Sequence, residues 1–336
     1  MLSPKENFLE TIKKDGHPDR IVKQYESLVF LPGDPVCTYV RGKRFPGMEP
    51  AKDLWGTTIV WPEDSIGAMP HITPDNRAIT DITEWKNEIK IPDLAANCSD
   101  EALWKPYLER LNAVDRDKQL TMMFAPTGLF ERLHFIQGFE DALINLIEEP
   151  EATKELCDAI GEYRYIGLKL MCDYAKPDAI ISHDDWGSKT NLFMSPDMWR
   201  EYIKPWYKKA YDYMHEKGVL VIHHADSFLE PIVEDMIEIG VDVWQGVLPQ
   251  NDIVKLQKQI DGRMALMGGI DSGIVDKPDS TEEEIRTETR RVLNTYCPQG
   301  NFIPCITYGA PGTVYPKADE LINDEIDRYN KEHFQL

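Results

Sequence analysis

Beyond about residue 119 the chain alternates short apolar runs with longer amphipathic stretches. The runs are Leu120-Thr121-Met122-Met123-Phe124, Ala179-Ile180-Ile181-Ser182, Val219-Leu220-Val221-Ile222, Val241-Asp242-Val243-Trp244, Met264-Ala265-Leu266-Met267 and Asn301-Phe302-Ile303-Pro304. Continuous apolar runs of this length suit strands buried on both faces. The stretches between them, 140–149, 150–175, 196–217, 228–239, 252–259 and 281–296, carry apolar residues at helical spacing. Strand–helix alternation predicts right-handed βαβ units and a parallel sheet. The expected fold class is α/β: one (β/α)8 TIM barrel over residues 1–336, with regular βα units in 119–336. Residues 1–118 are expected to hold an irregular N-terminal extension and the first two units.

That extension opens with a helix start. Ser3 caps, Pro4 suits the first turn, and Glu6 can reach back as the capping-box partner. Phe8, Leu9 and Ile12 supply its apolar stripe. From about residue 19 to 100 the pattern is irregular and rich in Pro, Gly and Trp, which predicts a packed extension rather than a linker. The competing architecture is a doubly wound open sheet. No G-x-G-x-x-G follows any strand, and Gly268-Gly269-Ile270-Asp271 is too short for that fingerprint.

In a barrel, reactive groups gather where strands end and βα loops begin. Here those ends read Ser182-His183-Asp184-Asp185-Trp186, His223-His224-Ala225-Asp226-Ser227, Trp244-Gln245-Gly246, Gly268-Gly269-Ile270-Asp271-Ser272 and Cys305-Ile306-Thr307-Tyr308. Taken singly, each polar residue is as easily a helix cap or a loop hydrogen bond; Asp226-Ser227 could cap the next helix. Five consecutive polar strand ends are harder to assign to chance. Gly246 and Gly268-Gly269 suggest close approach of backbone to a ligand.

Composition narrows the function. The 336 residues carry a net charge of −21, with no block of Lys or Arg, so a nucleic-acid or anionic-membrane surface is not expected. No apolar run approaches the roughly 18 residues a spanning helix needs. The six cysteines form no C-x-x-C pair and suggest a reducing, cytoplasmic setting. The first residues do not read as a signal peptide.

At these residues the sequence resembles the uroporphyrinogen decarboxylase superfamily. The resemblance rests on Pro4-Lys5-Glu6-Asn7-Phe8-Leu9, His17-Pro18-Asp19-Arg20-Ile21-Val22, Pro126-Thr127-Gly128-Leu129-Phe130, Gly138-Phe139-Glu140, Asp184-Asp185-Trp186-Gly187, Met194-Ser195-Pro196, Leu229-Glu230-Pro231 and Glu238-Ile239-Gly240-Val241-Asp242. It implies a (β/α)8 barrel. The chain departs from the decarboxylase branch, whose cleft opens with Arg-Gln-Ala-Gly-Arg; the nearest basic stretch here is Arg41-Gly42-Lys43-Arg44. The other large branch contains methyltransferases that work with a corrinoid protein. Its thiol-using members bind zinc through His-x-Cys and a later Cys. Here Ala225 stands at the first Cys position if the His is His223, and Cys305 is the candidate for the later one.

The resemblance therefore implies methyl transfer from a small O-methyl substrate, an aryl methyl ether, to Co(I) of a corrinoid carried by a partner protein. The poor leaving group is an oxygen, which needs a general acid or a Lewis acid. His223 or His224 suits the acid role, with Asp184, Asp226 or Asp271 to hold and polarise it. His183, Asp185, Trp186, Gln245, Tyr308 and Cys305 are the expected substrate contacts. Zinc is a candidate cofactor, with His223 and Asp226 as ligands. The N-terminal aromatics Phe45, Trp55 and Trp61 are expected to form a lid or to pack. Relatives on this fold suggest a homodimer. Two other readings stay open: a decarboxylase or zinc hydrolase on the same barrel, and a non-catalytic accessory protein.

Overall fold

The computed structural model describes residues 1–65, 67–308 and 314–334. Its centre is one parallel sheet of seven strands: β1 (Leu28–Phe30), β5 (Leu120–Ala125), β6 (Ala179–His183), β7 (Leu220–His224), β8 (Val243–Val247), β9 (Ala265–Ile270) and β10 (Phe302–Ile306), adjacent in that order. Helices pack around it, which is the α/β architecture of a (β/α)8 barrel. All six strands expected beyond residue 119 are present. Each runs one to three residues further toward its C-terminus than its apolar run suggested, and that shift decides how the site is built.

Of the two units expected in 1–118, the described residues supply one barrel strand, β1, which pairs with β5 from Leu28↔Leu120 to Phe30↔Met122. Between β1 and β5 lies a separate antiparallel sheet of β2 (Met48–Lys52), β3 (Thr58–Trp61) and β4 (Met69–Pro70), with helices at Leu94–Cys98 and Glu101–Asn112. The seam between β10 and β1 is bridged by buried Gln24. Its Oε1 accepts from the Ile306 N–H (3.3 Å), and its Nε2 donates to Asp319 (2.8 Å) and Asn323 (3.2 Å) on the C-terminal helix Pro316–His333.

Local chemistry explains the helix ends. Ser3 and Glu6 form the expected capping box. The long stretch expected at 196–217 is two helices, Pro196–Tyr202 and Lys204–Glu216, because Pro205 cannot continue the first and instead opens the second. Trp55 is buried edge-on against Tyr163 (4.9 Å) under the Arg132 guanidinium, so it packs rather than forming a lid. Among the described residues no helix is long and apolar enough to cross a membrane.

A candidate active site at the barrel mouth

Because β7 continues through His224, its two histidines obey strand alternation and point to opposite faces. His224 faces the barrel interior and His223 faces the helical layer. Interior positions recur every second residue on each strand: Met122 and Phe124 on β5, Ile181 and His183 on β6, His224 on β7 and Gln245 on β8. With Phe30 and Tyr25 they line a largely apolar cavity of ≈ 140 Å³.

One corner of this cavity is polar. The His183 and His224 rings stack at 4.5 Å between centroids and 12° between planes. His183 Nδ1 lies 2.9 Å from Glu131 Oε2. Burial alone would lower the imidazole, but the Glu131 carboxylate outweighs it and raises His183 to about 9. Burial likewise opposes the charge on Glu131, and the His183 cation outweighs it, holding Glu131 at about 2. The two form a charged pair at neutral pH. His224 is lowered to about 3, by burial first and the His183 charge second, so it is neutral. Its Nδ1 is hydrogen-bonded to Gln245 Oε1. The Gln245 Nε2 is buried beside the Cys305 sulfur and, among the described residues, has no nitrogen or oxygen acceptor, which leaves it a donor with only a weak sulfur partner. Asp185 borders the same corner. Burial, reinforced by Asp226, pushes its carboxyl up to about 8, and Asp185 Oδ1 accepts from the Asp226 N–H (3.1 Å).

Behind the strands sits a second polar group that does not reach the cavity. His223 is fully buried, stacked on Trp186 at 4.0 Å, with Nδ1 2.8 Å from the Tyr211 hydroxyl. Burial, then Arg164, depresses its pKa well below the usual imidazole range. Asp184 is buried and fully engaged: it accepts from the Phe130 N–H (3.1 Å), the Glu131 N–H (2.9 Å), the Trp186 indole (2.8 Å) and the Tyr207 hydroxyl (2.6 Å). It thereby closes the N-terminus of the helix Leu129–Gln137. Gly128 is glycine for this reason, since a Cβ there would lie 2.0 Å from the Asp184 carboxyl carbon.

The structure places several of the expected site residues away from the cavity. His223, Asp184 and Trp186 form one buried network behind the strands. Asp271 caps the short helix Ser272–Val275 through the Gly273 N–H (2.9 Å). The Tyr308 hydroxyl is committed to Asp276. Cys305 is fully buried, and burial drives its thiol far above the thiolate range. Gly246 lies against the carbonyls of Ala225 and Thr307, and Gly268 against the Val247 backbone, so these glycines serve strand packing and not a ligand. Asp226 remains at the rim, raised to about 6 by burial. Glu131, Phe124 and Tyr25 were missed. Glu131 stands at N3 of its helix, and its Oε2 accepts from the N-cap Gly128 N–H (2.9 Å), but with glycine at the cap the sequence carries no capping-box signal.

A metal fits different residues from those expected. The expected pair His223 and Asp226 is not among them: the His223 ring stacks on Trp186 and its Nδ1 meets the Tyr211 hydroxyl. His183, Asp185 and His224 each offer a ligand atom, all within 4.8 Å of one another. Both rings have Nδ1 tied to an oxygen acceptor, leaving Nε2 of each for a cation; this is how metal-bound histidines are oriented.

Fold and site together define a (β/α)-barrel protein with a histidine–carboxylate centre at the C-terminal mouth of its strands. The family model for uroporphyrinogen decarboxylase (URO-D) matches residues 109–331, well over half of the chain; the chain belongs to that family. Among solved structures it is similar to a methyltransferase from Methanosarcina mazei, with TM-score 0.66 and 14% identity over 98% of this chain and 99% of that one. A sugar phosphate isomerase/epimerase from Parabacteroides distasonis aligns at TM-score 0.30 and 11% identity, over 70% of this chain and 91% of that one. No curated protein matches the chain by sequence.

Proposed function

We propose that this protein transfers a methyl group from a small O-methyl substrate, an aryl methyl ether, to Co(I) of a corrinoid carried by a partner protein. The observation that carries the reading is the convergence of His183, Asp185, His224 and Gln245 on one corner of an otherwise apolar cavity. A methoxyarene needs that combination: a dry pocket for the ring and a polar corner for its oxygen. Similarity in fold to a methyltransferase agrees with it.

Co(I) is itself a strong nucleophile, so the protein has none to supply. As the methyl–oxygen bond breaks, negative charge develops on the departing oxygen. His183, kept charged by Glu131, can pass a proton from Nε2 to that oxygen, and the Gln245 amide can donate a hydrogen bond to it. The apolar walls keep water away and strengthen both interactions.

A second reading has its own support. His183, Asp185 and His224 suit a divalent cation such as Zn2+, which when bound would polarise the same oxygen as a Lewis acid. In either version positive charge is delivered at one place, and His223 takes no part. The test is methyl transfer to a reduced corrinoid protein from a panel of methoxyarenes, with His183→Ala beside the wild type.

A further inference from the structure

A small chamber lies outside the barrel, between the helices Pro35–Arg41, Leu94–Cys98 and Pro150–Leu170 and the turn that follows β5. Its volume is ≈ 50 Å³, more than the roughly 10–15 Å³ that one water needs. It shares no lining residue with the inner cavity. Most of its wall is apolar, from Val36, Val40, Leu94, Leu168 and Met171. Its ionic side chains have one sign. Arg41, Arg132 and Arg164 line it, and no described carboxylate does.

Arg164 is buried, and every hydrogen bond it makes goes to a neutral acceptor. Nη1 donates to the Thr127 carbonyl (3.0 Å), and Nη2 to Ser182 Oγ (2.6 Å) and the carbonyls of His183 (3.4 Å) and Ala125 (3.5 Å). Its Nε–H has no acceptor. Among the described residues no carboxylate stands within ion-pair distance of it. Asp184 is spent on four other donors and Glu131 on His183. Arg132, by contrast, has Asp53 at 2.8 Å. Buried cations are ordinarily paired, because leaving water alone is costly. The chain has 58 Asp and Glu against 37 Lys and Arg, so carboxylates are not scarce. A second feature keeps the chamber open. Gly167 lines it from inside the helix Pro150–Leu170, where glycine is less favourable than alanine. A Cβ there would lie 3.2 Å from Leu94 and 3.4 Å from Val36, both of which line the same space.

We propose that this chamber binds a small inorganic monoanion, a halide such as chloride, which supplies the countercharge that the Arg164 guanidinium lacks. Size and walls select the ion. The space admits one small ion, and a singly charged one loses less on leaving water for an apolar wall than sulfate or phosphate does. The role is structural. Arg164 already gathers the ends of β5 and β6, the strands that carry Phe124 and His183. An ion beside it joins those ends to the helix Pro35–Arg41 of the N-terminal extension. The site takes no part in the chemistry of the inner cavity and stands whether or not that reading holds.

Urea denaturation of the whole chain at constant ionic strength tests the assignment, with chloride replacing gluconate, which is too large for the chamber. Screening is then the same throughout. The denaturation midpoint is expected to rise with chloride and to saturate, as binding to the folded state requires. Arg164→Met should abolish the rise. Gly167→Ala keeps every charge and places a better helix former in the helix; its methyl narrows the chamber and should shrink the rise. That second variant decides the matter where Arg164→Met does not fold. Crystals soaked in bromide should show an anomalous peak beside Arg164. A midpoint indifferent to chloride, a rise that either folded variant leaves unchanged, or a chamber holding only water in the bromide-soaked crystals would each overturn the proposal.

Discussion

The imidazole rings of His183 and His224 lie face to face, 4.5 Å apart and within 12° of parallel, on neighbouring strands that pair His183 directly with His224. One ring is charged through Glu131 and the other is neutral and tied to Gln245. The sequence neighbour of the second, His223, belongs to a different compartment altogether.

That division makes the first prediction. His183→Ala should lower kcat/KM about 10²–10⁴-fold, the range for losing a positioned acid, and should also lower stability, because it leaves the buried Glu131 carboxylate without its cation; the kinetic loss should persist where the variant is fully folded. His223→Ala should cost stability by about 2–4 kcal/mol through the cavity it leaves between Trp186 and Tyr211. Urea denaturation beside steady-state kinetics separates the two. Equal kinetic losses at comparable stability would remove the distinction.

Asp184 is predicted to be a structural carboxylate. Asp184→Ala strips the acceptor from two backbone N–H groups, an indole and a phenol, all buried, and should cost about 3–5 kcal/mol. Gly128→Ala should also destabilise, by about 1–3 kcal/mol, because its methyl would overlap the Asp184 carboxyl. A wild-type denaturation midpoint in either variant would contradict this.

Sequence and structure agree on the sheet and part company at the site for a physical reason. Apolar runs mark strands buried on both faces, so all six regular strands were visible. The extension was not, because β1 has three residues and β2, β3 and β4 pack outside the barrel. At the mouth, His183, His224 and Gln245 looked like loop residues following their strands. Once they are inside the strands, alternation sorts them from Ser182, His223 and Trp244. Asp184 and Asp271 are helix caps, the ordinary alternative for any Asp after a strand. Glu131 escaped notice because its partner, His183, lies 52 residues further along the chain.

Stability should also respond to pH through His215, outside the site. Its Nε2 is 3.0 Å from Asp242, which also accepts from the Val221 N–H (2.7 Å). The Asp242 hydrogen bond raises the folded pKa above 6.5. A raised pKa means the pair's stabilisation is complete below pH 6.5 and fades as pH climbs through the folded value. The pair is exposed, so at most about 0.5–1 kcal/mol is expected. The stability gap between wild type and His215→Gln should be larger at low pH than at high pH; a constant gap would refute it.

Metal binding is predicted to follow the interior histidines. Zinc titrated into the purified protein should bind near one equivalent. His224→Ala and Asp185→Ala should each weaken it by about tenfold or more, and His223→Ala should leave it unchanged. Loss of zinc in His223→Ala alone would reverse the assignment.

At the centre of the proposed chemistry, the His183 corner assists departure of an oxygen from a methyl group bound for cobalt. The most direct measurement mixes the protein with a reduced corrinoid protein and a panel of methoxyarenes, and follows the cobalt absorption together with the released phenol. Co(I) should convert to methyl-Co(III) with one phenol per methyl transferred, slowed at least about a hundredfold in His183→Ala and little affected in Asp271→Ala. No methyl-cobalt signal from any methoxyarene tried, or undiminished transfer in His183→Ala, would contradict it.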